Sequence, residues 1–119
     1  MVWLMTDKEL GAPAFWILTS LAQGRLHGYG VLSTAQQLSG GEFRGKVTTV
    51  YAALERLEAD GLIRGDGDEV VAGRLRRYFR ITDEGVTRLE READRLAASV
   101  RVARQQIAAR PRPATGGAA

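Results

Sequence analysis

The stretch from Lys46 to Gly85 constrains this chain more than any other. Val47, Val50, Tyr51, Leu54 and Leu57 recur at helical spacing, which predicts an amphipathic helix over 47–60 closed by Gly61. Leu62-Ile63-Arg64 reads as a short strand, and Gly65-Asp66-Gly67-Asp68 and Gly73 supply turn chemistry. In the second strand Leu75, Phe79 and Ile81 share one parity, while Arg76, Tyr78 and Arg80 take the other. Arg77 falls on the apolar parity, so this strand is expected to bend or to lie at an edge. Thr82 is a good N-cap for a following helix, with Asp83 and Glu84 in its first turn, where the helix dipole favours acids. A short helix, an arginine-bearing hairpin and a capped long helix, in that order, predict a winged helix-turn-helix. Such a fold offers one helix to the major groove and a basic wing to the backbone.

The apolar face of the 47–60 helix must pack inward, which leaves Thr48, Thr49 and Ala52 outward near its N-terminus. Residues there touch base edges in helix-turn-helix proteins, and small hydroxyl side chains permit close approach. Lys46 just before the helix and Tyr51 at the rim of its apolar face are candidate phosphate contacts. Between Val70 and Thr82 there are four arginines and no acid. Of these, Arg74, Arg76 and Arg77 are candidates for the backbone or minor groove, since guanidinium suits bidentate phosphate contacts. The candidate DNA-binding set is therefore Lys46, Thr48, Thr49, Tyr51, Arg74, Arg76 and Arg77. The bland alternatives are helix-start capping for the threonines, core packing for Tyr51 and a solvated strand for the arginines.

The last helix carries the second informative pattern. Val86, Leu89, Ala93, Leu96, Val100, Ala103 and Ile107 are spaced as an unbroken heptad seam. A helix over 83–108 is about 40 Å long at about 1.5 Å per residue. A domain of this size cannot cover the whole stripe, so a homodimer through this seam is expected; the alternative is a helix folded back on its own core. Arg88, Arg91, Arg95, Arg101 and Arg104, the first three interleaved with Glu90, Glu92 and Asp94, read as a solvated face with intrahelical pairs. This gives three segments: a winged helix-turn-helix domain over 1–82, a dimerisation helix over 83–109 and a disordered tail over 110–119.

Upstream, residues 1–12 read as a short arm. Pro13 suits the first turn of an apolar helix ended by Gly24, and a second helix follows His27-Gly28-Tyr29 and breaks at Gly40-Gly41. Leu32, Ala35 and Leu38 share one face of that helix. Trp3, Phe15 and Trp16 beside the first helix fit either core or dimer packing or the lining of an effector cavity. His27, the single histidine, suits a structural hydrogen bond in its turn, and Tyr29 suits packing ahead of a DNA contact.

At 119 residues and 45% hydrophobic composition the chain suits one globular domain. The longest apolar run, 14–21, falls well short of the roughly 20 residues that span a membrane, and no secretory pattern opens the chain. With no cysteine there are no disulfides or thiolate metal sites, which fits a cytoplasmic protein. No phosphate loop, metal cluster or nucleophile-base set is legible, so neither an enzyme nor a cofactor or metal is expected. The net charge of +3 is mild, so the placement of the arginines matters more than their total.

Three motifs in order resemble the PadR family of bacterial transcriptional regulators. They are Ile17-Leu18-Thr19-Ser20-Leu21-Ala22-Gln23-Gly24 with Leu26-His27-Gly28-Tyr29, then Val47-Thr48-Thr49-Val50-Tyr51-Ala52-Ala53-Leu54-Glu55-Arg56-Leu57-Glu58, then Arg76-Arg77-Tyr78-Phe79-Arg80-Ile81-Thr82-Asp83-Glu84-Gly85. The resemblance covers about residues 14–100. It implies a mainly α fold with a small β-hairpin (α+β), a winged helix-turn-helix with a long C-terminal dimerisation helix, and a repressor's role, and it leaves a DNA-backbone contact open for His27. The single C-terminal helix is similar to the short subgroup, some of whose members take planar hydrophobic drugs at the dimer interface. Gly30 stands where that family often has an acid, and the seam holds no tryptophan of the kind drug-binding members can use.

These observations predict a homodimeric, double-stranded-DNA-binding repressor that takes a small hydrophobic effector if it takes one at all. Two other readings stay open. A protein-interaction winged helix would not need the wing arginines, and a non-specific architectural DNA binder would bind every sequence equally.

Overall fold

The computed structural model describes residues 10–113, so Trp3 and the last part of the expected tail lie outside the described residues. The order is α1 (Ala12–Leu21), β1 (Leu26–His27), α2 (Gly28–Leu38), α3 (Val47–Ala59), β2 (Ile63–Val71), β3 (Arg74–Ile81) and α4 (Asp83–Ala109). Pro13 sits in the first turn of α1, where its missing N–H costs nothing. Residues 110–113 continue without helix or strand. Helices α1, α2 and α3 pack on one another and on the sheet. Their contact is made by Ile17, Leu18, Leu21, Val31, Ala35, Val50, Leu54 and Leu57, joined by Ile63 and Phe79 from the hairpin. Phe43, between α2 and α3, is a core residue that no periodicity marked.

The sheet is antiparallel in the order β1-β3-β2. This corrects two expectations. The strand carrying Arg77 is central, not at an edge, because Leu26 and His27 pair with Phe79 and Tyr78. The run Gly65-Asp66-Gly67-Asp68 is no turn: it lies inside β2 as a register shift between Gly65 and Asp68, with Gly67 at φ 90°. The reversal comes later, as a two-residue loop of Ala72 (φ 51°) and Gly73 (φ 77°) between the paired Val71 and Arg74. Two positive φ values match the turn whose twist suits a hairpin. The shift is a bulge of one extra residue on β2, since three steps from Gly65 to Asp68 face two from Phe79 to Arg77 on β3, and Arg77 stays on the face of Phe79, over whose ring it lies.

Thr82 caps α4, accepting from the Gly85 N–H (3.0 Å), while its own hydroxyl donates to the Gly61 carbonyl (2.7 Å). The Thr82 N–H donates to Leu62 O at 3.0 Å. Gly85 is buried at this junction, and a Cβ there would collide with Leu62 O and come within 2.7 Å of Ile81 Cγ1. Only glycine lets α4 leave the hairpin base at this angle.

Along α4, Leu89 packs on the core, whereas Val86, Leu96, Val100 and Ile107 are 39%, 38%, 52% and 61% exposed. From Ala93 onward every residue of the helix is exposed. Glu92 differs from the solvated face expected of it, for it is buried. Its carboxylate accepts from Arg95 and from the Leu10 backbone N–H, and the Arg95 hydrogen bond foremost holds it below the usual carboxylate range. A charge buried with two donors is a satisfied charge, and it ties the chain entering α1 to the final helix.

Candidate nucleic-acid interface

Three elements converge where α2 begins. His27 is the N-cap of α2, its Nδ1 accepting from the Gly30 N–H at 3.3 Å. This is the structural bond expected of that histidine. Helix α3 supplies Tyr51, whose ring lies against Gly28, so that a Cβ on Gly28 would come within 2.6 Å of the Tyr51 hydroxyl. Any larger residue at 28 would push the two helices apart. Strand β3 supplies Arg76, whose Nη1 stands 3.0 Å from His27 Nε2. The wing is thereby held against the helix-turn-helix pair.

Around this junction the side chains form one network. The Tyr78 ring meets His27 edge-on at 5.4 Å, and its hydroxyl donates to Glu69 Oε1 at 2.7 Å. That bond to Glu69 raises the Tyr78 pKa above the ordinary phenol value. Arg25 covers the other part of Tyr78 at 4.2 Å and donates to the Asp66 carbonyl at 2.9 Å. Partial burial, and then the Arg76 guanidinium, lower the His27 pKa; Glu69 pulls the other way.

The candidate residues fall into distinct places. Lys46, Thr48, Thr49 and Ala52 are exposed at the start of α3, and Lys46 occupies its N-cap position without a side-chain cap bond. Tyr51 is 40% exposed, so it is neither core nor free. Arg74 is exposed beside the wing turn, next to the cross-strand pair Val70 and Leu75. The structure separates Arg76 from Arg77. Arg77 donates to Glu58 of α3 at 2.8 Å and lies over the Phe79 ring at 4.9 Å, so it is occupied as a brace between wing and helix. Tyr29, expected to pack, is 53% exposed, and Leu38 of the expected apolar face is equally exposed. Phe15 and Trp16 are half-buried with rings edge-to-face at 5.1 Å. Reasoning from sequence singled out His27 for its turn but missed Arg25 and Glu69 as members of the junction. The two-residue β1, which brings His27 and the adjoining Arg25 to β3, is too short to leave a periodic signal.

The family model of the transcriptional regulator PadR-like family matches residues 17–91, more than half of the chain. The chain belongs to the PadR-like family of transcriptional regulators. Within it, this PadR-like chain is 37% identical over 81 residues to transcriptional regulator Rv3488 of Mycobacterium tuberculosis, covering 68% of this chain and 72% of that one. A PadR family regulator from Clostridium difficile superposes with a TM-score of 0.68 at 28% identity, over 82% of this chain and 99% of that one. Bacillus subtilis PadR in complex with operator DNA shares the fold at a TM-score of 0.57 and 20% identity, over 89% of this chain and 51% of that one. The winged helix-turn-helix of this PadR-like chain is thus that of its family. Among the described residues, no helix is long and apolar enough to cross a membrane.

Proposed function

We propose that this PadR-like regulator is a homodimeric, cytoplasmic repressor of the short subgroup that binds double-stranded operator DNA and performs no catalysis. The observation that carries the reading is the convergence of exposed α3, the α2 N-terminus and the wing on one junction, with Arg76 holding the wing in place. Thr48, Thr49 and the Ala52 surface would face bases, while Lys46, Tyr51 and Arg74 meet phosphates. Arg77 acts through Glu58 by keeping the wing's angle. That a fold relative has been crystallised with operator DNA supports the same docking.

The dimer reading rests on the seam. Val86, Leu89, Ala93, Leu96, Val100, Ala103 and Ile107 form one stripe whose distal part has no cover among the described residues. An isolated helix with such a stripe gains little stability alone and much from a partner. Half-buried Phe15 and Trp16 would border a small hydrophobic effector between protomers, and such an effector would act by favouring one separation of the recognition helices. Selection from a random duplex library tests the reading. A palindrome with half-sites about one helical turn apart is expected; an unenriched pool would refute it.

A further inference from the structure

The run Gly65-Asp66-Gly67-Asp68 makes no turn, and its two glycines have another use. Opposite Tyr78, Asp66 and Gly67 stand on β2 where one residue would pair. The stretch lies on an edge strand, and at Gly65 and Gly67 it has no side chain to pack. A strand so built bends and twists at its bulge. Two guanidiniums lie against it. A Cβ on Gly65 would stand 3.0 Å from Arg77 Nη2, and a Cβ on Gly67 would stand 3.3 Å from Arg25 Nη1. They come from opposite faces of the sheet, because Arg77 lies over Phe79 and Arg25 over Tyr78, neighbours on β3 that point opposite ways. Arg25 also donates from Nη1 to the Asp66 carbonyl, inside the bulge, at 2.9 Å.

We propose that Arg25 is a positioning residue for DNA binding: it clamps the bulge of β2 from the face opposite the Arg77–Glu58 brace and so fixes where the wing tip lies relative to α3. This rests on the DNA-binding reading and adds a residue that acts through the wing, not on the duplex. Arg76 at His27 and Arg77 at Glu58 tie the hairpin to the helices, and both belong to β3. Arg25, from the segment between α1 and β1, is the tie to β2. A hairpin held by one strand can still shear and untwist about its bulge; held by both strands it keeps one pitch. The wing tip beyond the bulge, with Arg74 beside the reversal, moves with that pitch. Arginine suits the task because its planar head covers a ring with its face while its edge donates a hydrogen bond. Lysine carries the same charge without that fork. Arg25 is itself exposed, so its contacts contribute little to the stability of the core.

The test compares the whole chain with Arg25→Met and Arg25→Lys. Amide hydrogen exchange by NMR reads the free proteins. Anisotropy reads binding to a duplex the wild type binds and to the same duplex shortened at both ends, so that the wings have no backbone to reach. Both variants should melt with the wild type. Amides of 65–71 should exchange faster by about fivefold to tenfold, the worth of a ring contact and a hydrogen bond at an exposed site, while those of α2 and α3 stay unchanged. Affinity for the long duplex should fall about threefold to tenfold as the fraction with a correctly placed wing drops. The short duplex should bind all three proteins equally. Weaker binding with unchanged exchange would make Arg25 a direct DNA contact and overturn the clamp. Faster exchange with unchanged binding would show that the bulge sets nothing the duplex reads. Equal losses on both duplexes, or faster exchange throughout α2 and α3, would assign Arg25 to general stability. Arg25→Lys matching the wild type in both readouts would leave charge alone and sink the fork argument. If the wild type binds no duplex at all, the DNA-binding reading itself fails, and the positioning role falls with it whatever the exchange shows.

Discussion

Replacing Gly85 with alanine should reverse the usual effect of that exchange. In a helix interior, alanine is favoured over glycine by about 1 kcal/mol. At Gly85, however, the added methyl would run into the Leu62 carbonyl oxygen and stand 2.7 Å from Ile81 Cγ1. Both belong to the hairpin base, and Leu62 O already accepts from the Thr82 N–H at 3.0 Å. Relief requires shifting the start of α4 away from β2, which strains the Thr82 hydroxyl bond to Gly61 as well. Overpacking of this kind costs about 1–3 kcal/mol, more when backbone must move. We take the upper end, about 3 kcal/mol, and subtract the helix gain, leaving about 2 kcal/mol of destabilisation. At about 4–8 °C per kcal/mol for a domain of this size, Tm should fall by about 8–16 °C. Gly30→Ala is the matched control. There the nearest atom to a new Cβ is the flexible Leu26 Cδ2 at 3.4 Å, so the helix gain stands and Tm should rise by several degrees. Circular dichroism melts at one fixed protein concentration separate the two, since a dimer's Tm depends on concentration. A Gly85→Ala protein as stable as the wild type would refute the close-approach argument.

Other consequences are as concrete. Arg77→Ala removes an exposed ion pair of about 0–1 kcal/mol, so stability should change little; DNA affinity should fall less than for Arg76→Ala, as anisotropy titrations would register. The folded-state pKa of His27 is depressed, so the unfolded chain binds the proton more readily. Stability of the free protein from that group is therefore present above the unfolded value near 6.5 and lost as pH falls through the folded one, and urea titrations from pH 7.5 to 5 should show a decline that His27→Asn flattens. Glu92 behaves alike at lower pH, its contribution disappearing below the ordinary carboxylate range. A charge in the seam, Leu96→Glu or Val100→Glu, should convert a dimer to monomers in sedimentation velocity while leaving the α1–α3 core folded.

What was legible in the sequence was what repeats. The faces of α3 and α4 follow from periodic apolar residues, and Thr82 and Pro13 announce helix starts because their preferences are local. The hairpin was misread where local signals compete. Gly65-Asp66-Gly67-Asp68 has turn residues, yet pairing with β3 holds it extended, and the reversal falls at Ala72-Gly73, whose first member gives no turn signal. The arginines of β3 were interchangeable by type. Their roles were divided by partners far away in sequence, Glu58 for Arg77 and His27 for Arg76, and no spacing rule reaches across those separations. Glu92 followed the polar pattern of its neighbours, and only the fold shows that α1 approaches that side of α4.

Sequence-specific binding is tested most directly by fluorescence anisotropy at physiological salt with competitor DNA, using the duplex selected from the library and a scrambled duplex of equal composition. A preference of at least about a thousandfold, the low end of the specific range, with affinity falling steeply as salt rises, is the predicted result. Equal affinity for both duplexes would contradict it and leave a non-specific DNA binder, and binding to neither at low salt would leave a winged helix that engages protein.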